Sequence, residues 1–137
     1  MKFIIIVNPH GGKKLGPKLL NKVKPIFHAA SAELFIVETT FAGHAKELAN
    51  QLDLSIYDGF VAIGGDGTLH EVVNGMLTRN DGQKIPIGMI PGGSGNSYIH
   101  DLGLIDPLKA AKAIINGNTQ SVDTAQVEVN HVVKYAN

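Results

Sequence analysis

The stretch "AIGGDGTLHEVVNG" at residues 62–75 sets an acid, Asp66, inside a glycine cluster, between a short apolar run and a run with helical spacing. Glycines at a strand-to-helix turn clear the backbone for a phosphate, whose oxygens accept from exposed N–H groups and sit at the positive end of the helix dipole. A carboxylate there repels the same anion unless a cation or a proton stands between them. Two uses meet that condition: Asp66 pairs with Mg²⁺ beside a polyphosphate, or it takes the proton from an attacking hydroxyl. Both belong to the recurring parts of phosphoryl transfer. The local alternative is a cap for the helix beginning near Thr68.

Two more glycine turns accompany it, "NPHGG" at 8–12 and "PGGSGN" at 91–96. One such turn has purely local explanations. Three of them, each after a strand candidate, point to one shared ligand. Gly11 and Gly16 have P-loop spacing, but Pro17 and Lys18 follow where Lys and Ser/Thr are required, so the Walker pattern fails. "GDGTLH" and "GSGNSY" lack the third glycine of the dinucleotide fingerprint. What remains is a phosphate cradle of backbone amides without a dedicated P-loop lysine.

The elements that must position these loops follow from periodicity. "FIIIV" (3–7), "ELFIVET" (33–39), "GFVAI" (59–63) and "IPIGMI" (85–90) are short and nearly all apolar, as strands of a parallel sheet covered on both faces are. Between them lie helical patterns. "GPKLLNKVKPIFHAA" opens with proline in its first turn, and Pro25 is expected to kink or break its second half. Ala45, Leu48, Ala49 and Leu52 form a second stripe, and Leu69, Val72, Val73, Met76 and Leu77 a third. "DPLKAAKAIINGN" (106–118) is a last helix stopped by Gly117, after which "SVDTAQVEVNHVVKYAN" predicts two strands around a turn near Asn130 and His131. The alternation predicts a doubly wound, Rossmann-like α/β fold with a mostly parallel sheet, whose ligands gather at the carboxyl ends of the strands. Its second C-terminal strand is still running at Asn137, so the chain is expected to be a piece of a longer protein.

Taken in order and spacing, "NPHGG", "GGDGTLHEVVNGM" and "IPGGSGN" resemble the nucleotide-binding half of the diacylglycerol kinase and sphingosine kinase family of lipid kinases. "ETTFAGHAKELA" (38–49) resembles the segment joining the first two motifs, and the C-terminal stretch resembles the crossing toward the family's second, mostly β domain. "GDGT" alone is shared with NAD kinases. "HEVVNG" with "GSGN" leans toward the sphingosine kinase branch, and Ser97, where diacylglycerol kinases often carry an aspartate, is a departure that speaks against a diacylglycerol-kinase-style carboxylate network. The resemblance implies ATP contacts at Asn8, Pro9, His10, Gly11 and Gly12, at Thr40, at Gly64, Gly65, Asp66, Gly67 and Thr68, and at Ser94, Gly95 and Asn96. It implies Asp66 as the catalytic acid–base group, with Asp123 as a further acid near the site. Mg²⁺ is implied with ATP, no side chain being assigned as its ligand. Glu71 and Asn74 lie on the polar face opposite the Leu69/Val72/Val73/Met76 stripe, where they either orient the nucleotide or face solvent; Glu71 is placed among the nucleotide contacts. The implied partners are ATP and a long-chain lipid. An NAD kinase-like enzyme and a nucleotide- or lipid-binding module without turnover are the alternatives.

Bulk properties fit. A chain of 137 residues is long enough for one core. Lys plus Arg equals Asp plus Glu at 12 each, so nothing recommends a nucleic-acid partner. Charge is nonetheless segregated: residues 1–32 hold six lysines and no acid. Those lysines are either a solvated helix face or a surface for phosphate or anionic membrane. The absence of cysteine fits a reducing compartment, and "MKFIIIV" is too short for a signal-peptide core. A cytoplasmic protein with peripheral membrane contact is expected. His10 and His44, near the ligand loops, are read as local hydrogen-bonding residues.

Overall fold

Strand β1 (Lys2–Val7) is followed by helix α1 (Gly16–Ala29), β2 (Glu33–Glu38), α2 (His44–Gln51), a 3-10 turn at Leu54–Ile56, β3 (Gly59–Gly64), α3 (Asp66–Leu77) and β4 (Ile87–Pro91). Then come α4 (Pro107–Ile115), β5 (Gln120–Val122) and β6 (Val127–Val129). This is a computed structural model that describes residues 1–10, 15–91, 107–117, 120–122 and 127–129; for 66, 91 and the two last segments the description is of the backbone.

The sheet order is β2-β1-β3-β4-β6-β5. The first four strands are parallel, with Ile4 level with Phe35 on one side and Phe60 on the other. β6 joins β4 in parallel at Ile87 and Val129, while β5 runs antiparallel to β6. Alternation along the strands explains the unbroken apolar runs. Ile4, Ile6, Phe60, Ala62, Ile87 and Met89 face α2 and α3, whereas Phe3, Ile5, Val7, Val61, Ile63 and Ile90 face α1 and α4. The central strands β1 and β3 are apolar at nearly every position because both of their faces are covered, whereas the edge strand β2 leaves Phe35 45% exposed.

The expectation that Pro25 breaks its helix changes. Helix α1 runs unbroken through Pro25. Pro25 lies exposed, while Val23 and Phe27 on either side of it are fully buried, so core packing overrides a local cost of about 3 kcal/mol. Gln120 pairs with Val129 and Val122 with Val127, so β5 and β6 form an antiparallel pair; the expected turn near Asn130 and His131 lies outside the described residues. The stop at Gly117 is as expected. Its φ of +73° suits glycine, and its N–H bonds the carbonyl of Ile114 at 3.1 Å.

The chain moves outward from β1 to β2, then crosses back past β1 to β3. α1 covers one face and α2 the other, so strand order reverses at the β1–β3 boundary. Open α/β sheets bind ligands in the crevice at the carboxyl ends of the strands beside such a switch point.

Candidate functional site

A polar cleft of about 310 Å³ opens at that place, lined by Asn8, His10, Thr39, Thr40, Phe41, Ala42, Ala45, Thr68 and Glu71. Its floor is tied to the strand ends. Asn8 donates its N–H to the carbonyl of Ile63, joining the end of β1 to β3, and Thr39 donates to the carbonyl of Val7 at 2.9 Å. The side chain of Asn8 turns back to accept the N–H of His10 at 3.0 Å, a local turn that fixes the start of the β1–α1 loop.

The opposite wall is the β2–α2 loop. His44 Nδ1 accepts the N–H of Thr40 at 3.0 Å, and the His44 N–H bonds the carbonyl of Phe41 at 3.1 Å. Gly43 enters α2 at φ +89°, a conformation that favours glycine.

The third wall is the first turn of α3. Its N-cap is Gly65, with extended backbone and no capping side chain. Asp66 is therefore the first helical residue, and the expected alternative of Asp66 as cap is replaced by Gly65. A first turn without a side-chain cap leaves its amides to an outside acceptor. Thr68 is 7% exposed and Glu71, one turn on, is half-buried in the cleft wall. A Cβ built on Gly64 would stand 3.0 Å from Thr68 Oγ1, whereas one on Gly67 meets nothing within 4 Å. Gly64 is there for close packing, and Gly67 borders open space.

Of the expected nucleotide contacts, Asn8, His10, Thr40, Thr68 and Glu71 come together in this cleft. Gly64, Gly65 and Gly67 lie at its β3–α3 side without lining it, and Pro9 stays in the turn between Asn8 and His10. Asp66 is placed by backbone alone. Gly11, Gly12, Ser94, Gly95, Asn96, Ser97 and Asp123 fall outside the described residues. Asn74 is half-buried one turn beyond Glu71 and does not line the cleft. Thr39, Phe41, Ala42 and Ala45 line it without having been singled out as ligand contacts; the signal for them was the "TTFAGH" break between a strand and a helical stripe. A second hollow, of about 270 Å³, opens at the opposite edge among Phe3, Phe60, Ile87 and Ile114 and is mainly apolar. It lacks the cluster of polar groups that a charged ligand needs.

One motif residue proves structural. A Cβ on Gly75, the last residue of "HEVVNG", would collide with the backbone carbonyl oxygen of Lys46 and lie 2.9 Å from the Ala49 methyl. Glycine lets α3 approach α2, the helix that carries the loop wall.

Comparison with known proteins identifies the family. Residues 2–127 match the model of the diacylglycerol kinase catalytic domain. "Sphingosine kinase 1" of Arabidopsis thaliana is 44% identical over 92% of this chain, which spans 28% of that relative. The "Diacylglycerol kinase" of Bacillus subtilis is 37% identical over 96% of this chain, which spans 44% of that protein. A solved diacylglycerol kinase structure from Bacillus anthracis superposes with a TM-score of 0.74 at 31% identity, covering 88% of this chain and 44% of that one. Matched by that domain model over residues 2–127 and 44% identical to a relative over 92% of its own length, the chain belongs to the diacylglycerol kinase catalytic domain family.

Proposed function

We propose that this chain is the nucleotide-binding domain of an ATP-dependent lipid kinase, which transfers the γ-phosphoryl group of ATP to the primary hydroxyl of a sphingoid base or a diacylglycerol. One observation carries the reading: a polar cleft at the switch point, walled by the uncapped first turn of α3, in a chain of this family. The relatives named as sphingosine or sphingoid base kinases, at 44% and 43% identity, favour the sphingoid acceptor.

In this mechanism the amides at the start of α3 hold the phosphates, while Asn8, His10 and Thr40 border the rest of the nucleotide. Glu71, the described carboxylate in the cleft lining, is placed to accept from a ribose hydroxyl or a phosphate-bound water. Mg²⁺, when bound with ATP, neutralises charge on the phosphates. Asp66 takes the proton from the lipid hydroxyl as its oxygen bonds the γ-phosphorus, and the bond to the β–γ bridging oxygen breaks to release ADP. Positioning and charge stabilisation supply most of the acceleration, because phosphoryl transfer leaves a protein little covalent chemistry to perform. The acceptor site is assigned to the part of the protein outside this chain, which spans 28% of its plant relative. No described helix is long and apolar enough to cross a membrane.

The test is phosphorylation of a panel of lipid hydroxyls by the full-length protein with labelled ATP. Transfer to a sphingoid base above all others is expected. Absence of transfer to every lipid, with transfer to NAD, would overturn the reading.

A further inference from the structure

Large apolar side chains are normally covered, yet Phe41 is 55% exposed in the loop that walls the cleft. Its place does not depend on burial. The Phe41 and His44 rings lie 4.4 Å apart between centroids and within 12° of parallel. His44 is in turn tied to the loop by the two hydrogen bonds to Thr40 and Phe41. One face of the phenyl ring is thus backed by an imidazole whose own position is fixed.

The same ring borders two hollows. It lines the polar cleft with Thr68 and Glu71, and it lines a neighbouring recess of about 370 Å³ with Glu47 and Gln51. The β2–α2 loop follows a strand two positions from β3 in the sheet, about 10 Å away at the usual strand spacing. That separation suits a nucleotide whose phosphates lie at the start of α3 and whose base reaches the far wall. No residue type in the sequence stood out as a reader of the base. A flat ring, already stacked on one side, offers what a base needs on the other.

We propose that Phe41, backed by His44, is the stacking platform for the base of the bound nucleotide and sets a preference for purines over pyrimidines. The proposal rests on the nucleotide-binding reading above. A larger π-face stacks more strongly, so a platform of this kind separates purine from pyrimidine without hydrogen-bond readout.

The experiment titrates the full-length protein, wild type and Phe41→Ala, with ATP, CTP and inorganic tripolyphosphate. Tripolyphosphate has the phosphates and no base. Loss of a base–aromatic stack is worth about 5- to 150-fold in affinity. The Ala variant is expected to lose that factor for ATP, less for CTP and nothing for tripolyphosphate. A Phe41→Trp variant gives a second readout, because this chain has no tryptophan and signal from elsewhere is subtracted with the wild type. Its fluorescence is expected to be quenched by ATP and unchanged by tripolyphosphate. Unchanged ATP affinity in the Ala variant, or an equal loss for ATP and tripolyphosphate, overturns the platform. So does loss of binding to phosphatidylserine vesicles with ATP affinity intact, which would give Phe41 to a membrane surface. Wild-type protein that binds neither ATP nor tripolyphosphate would overturn the nucleotide reading itself, an outcome visible before any variant is made.

Discussion

The α-carbon of Gly75 in α3 sits so close to the carbonyl oxygen of Lys46 in α2 that no side chain fits between them. Through this contact α3, which offers its first turn to the ligand, is held against α2, which carries Phe41 and His44 on its leading loop. Gly75→Ala forces the helices apart, and overpacking of this kind costs about 1–3 kcal/mol. Urea denaturation should show that loss. Because α2 must shift, nucleotide affinity should fall too, although Gly75 is outside the cleft lining.

Arg79 makes a second link between these helices. Its side chain is 4% exposed, and Nη1 donates to the carbonyls of Ala49 at 3.0 Å and Leu52 at 2.7 Å, closing the C-terminal end of α2. Arg79→Ala leaves those carbonyls without their donor and should destabilise the fold by about 1–3 kcal/mol. Arg79→Lys should recover only part, since one ammonium cannot hold both carbonyls and also the paired contacts that Arg79 makes to the two Asp81 oxygens at 2.9 and 2.7 Å.

A pH dependence follows from the same group. The Arg79 guanidinium, with help from the Gln83 N–H, holds the Asp81 carboxyl down from 3.8 to about 2. A depressed folded-state value contributes stability above the unfolded pKa and loses it as pH falls through the folded one. Stability should therefore drop between pH 3.8 and about 2. Asp81→Asn should flatten that part of the profile, measured by chemical denaturation at stepped pH, and leave the slope near neutrality unchanged.

How much of this was legible beforehand depended on which interaction fixed each feature. The strands and helices of the first 90 residues follow periodicity, because parallel strands covered on both faces and amphipathic helices leave an unambiguous pattern. Pro25 misled because its local cost is visible in the sequence while the burial of Val23 and Phe27 against the sheet is not. In the site, Asn8, His10, Thr40, Thr68 and Glu71 were readable from motifs. Phe41 was hidden, since its role depends on a ring stack and on exposure, neither of which spacing reveals. Gly75, quoted within a motif but given no role of its own, is a helix-packing residue.

Asp66 now has a sharper test. As the first residue of α3 behind the Gly65 cap, it stands where a negative charge meets the helix dipole favourably, worth about 0.3–1 kcal/mol. Asp66→Asn keeps the shape and removes the charge, so thermal stability should change little. A positioned general base is worth about 10²- to 10⁴-fold, and lipid phosphorylation by the full-length variant should fall by about two orders of magnitude or more. Wild-type turnover would reduce Asp66 to a helix-terminal charge.

The location of the nucleotide is the central claim, and a crystal structure of the full-length protein with a non-hydrolysable ATP analogue tests it most directly. The phosphates should lie within hydrogen-bonding distance of the Gly67 and Thr68 amides and near Gly12 and Ser94, with the base against Phe41. Phosphates bound instead at the amino-terminal edge of the sheet, in the hollow beside Asp58, Gly59 and Pro86, would contradict the account.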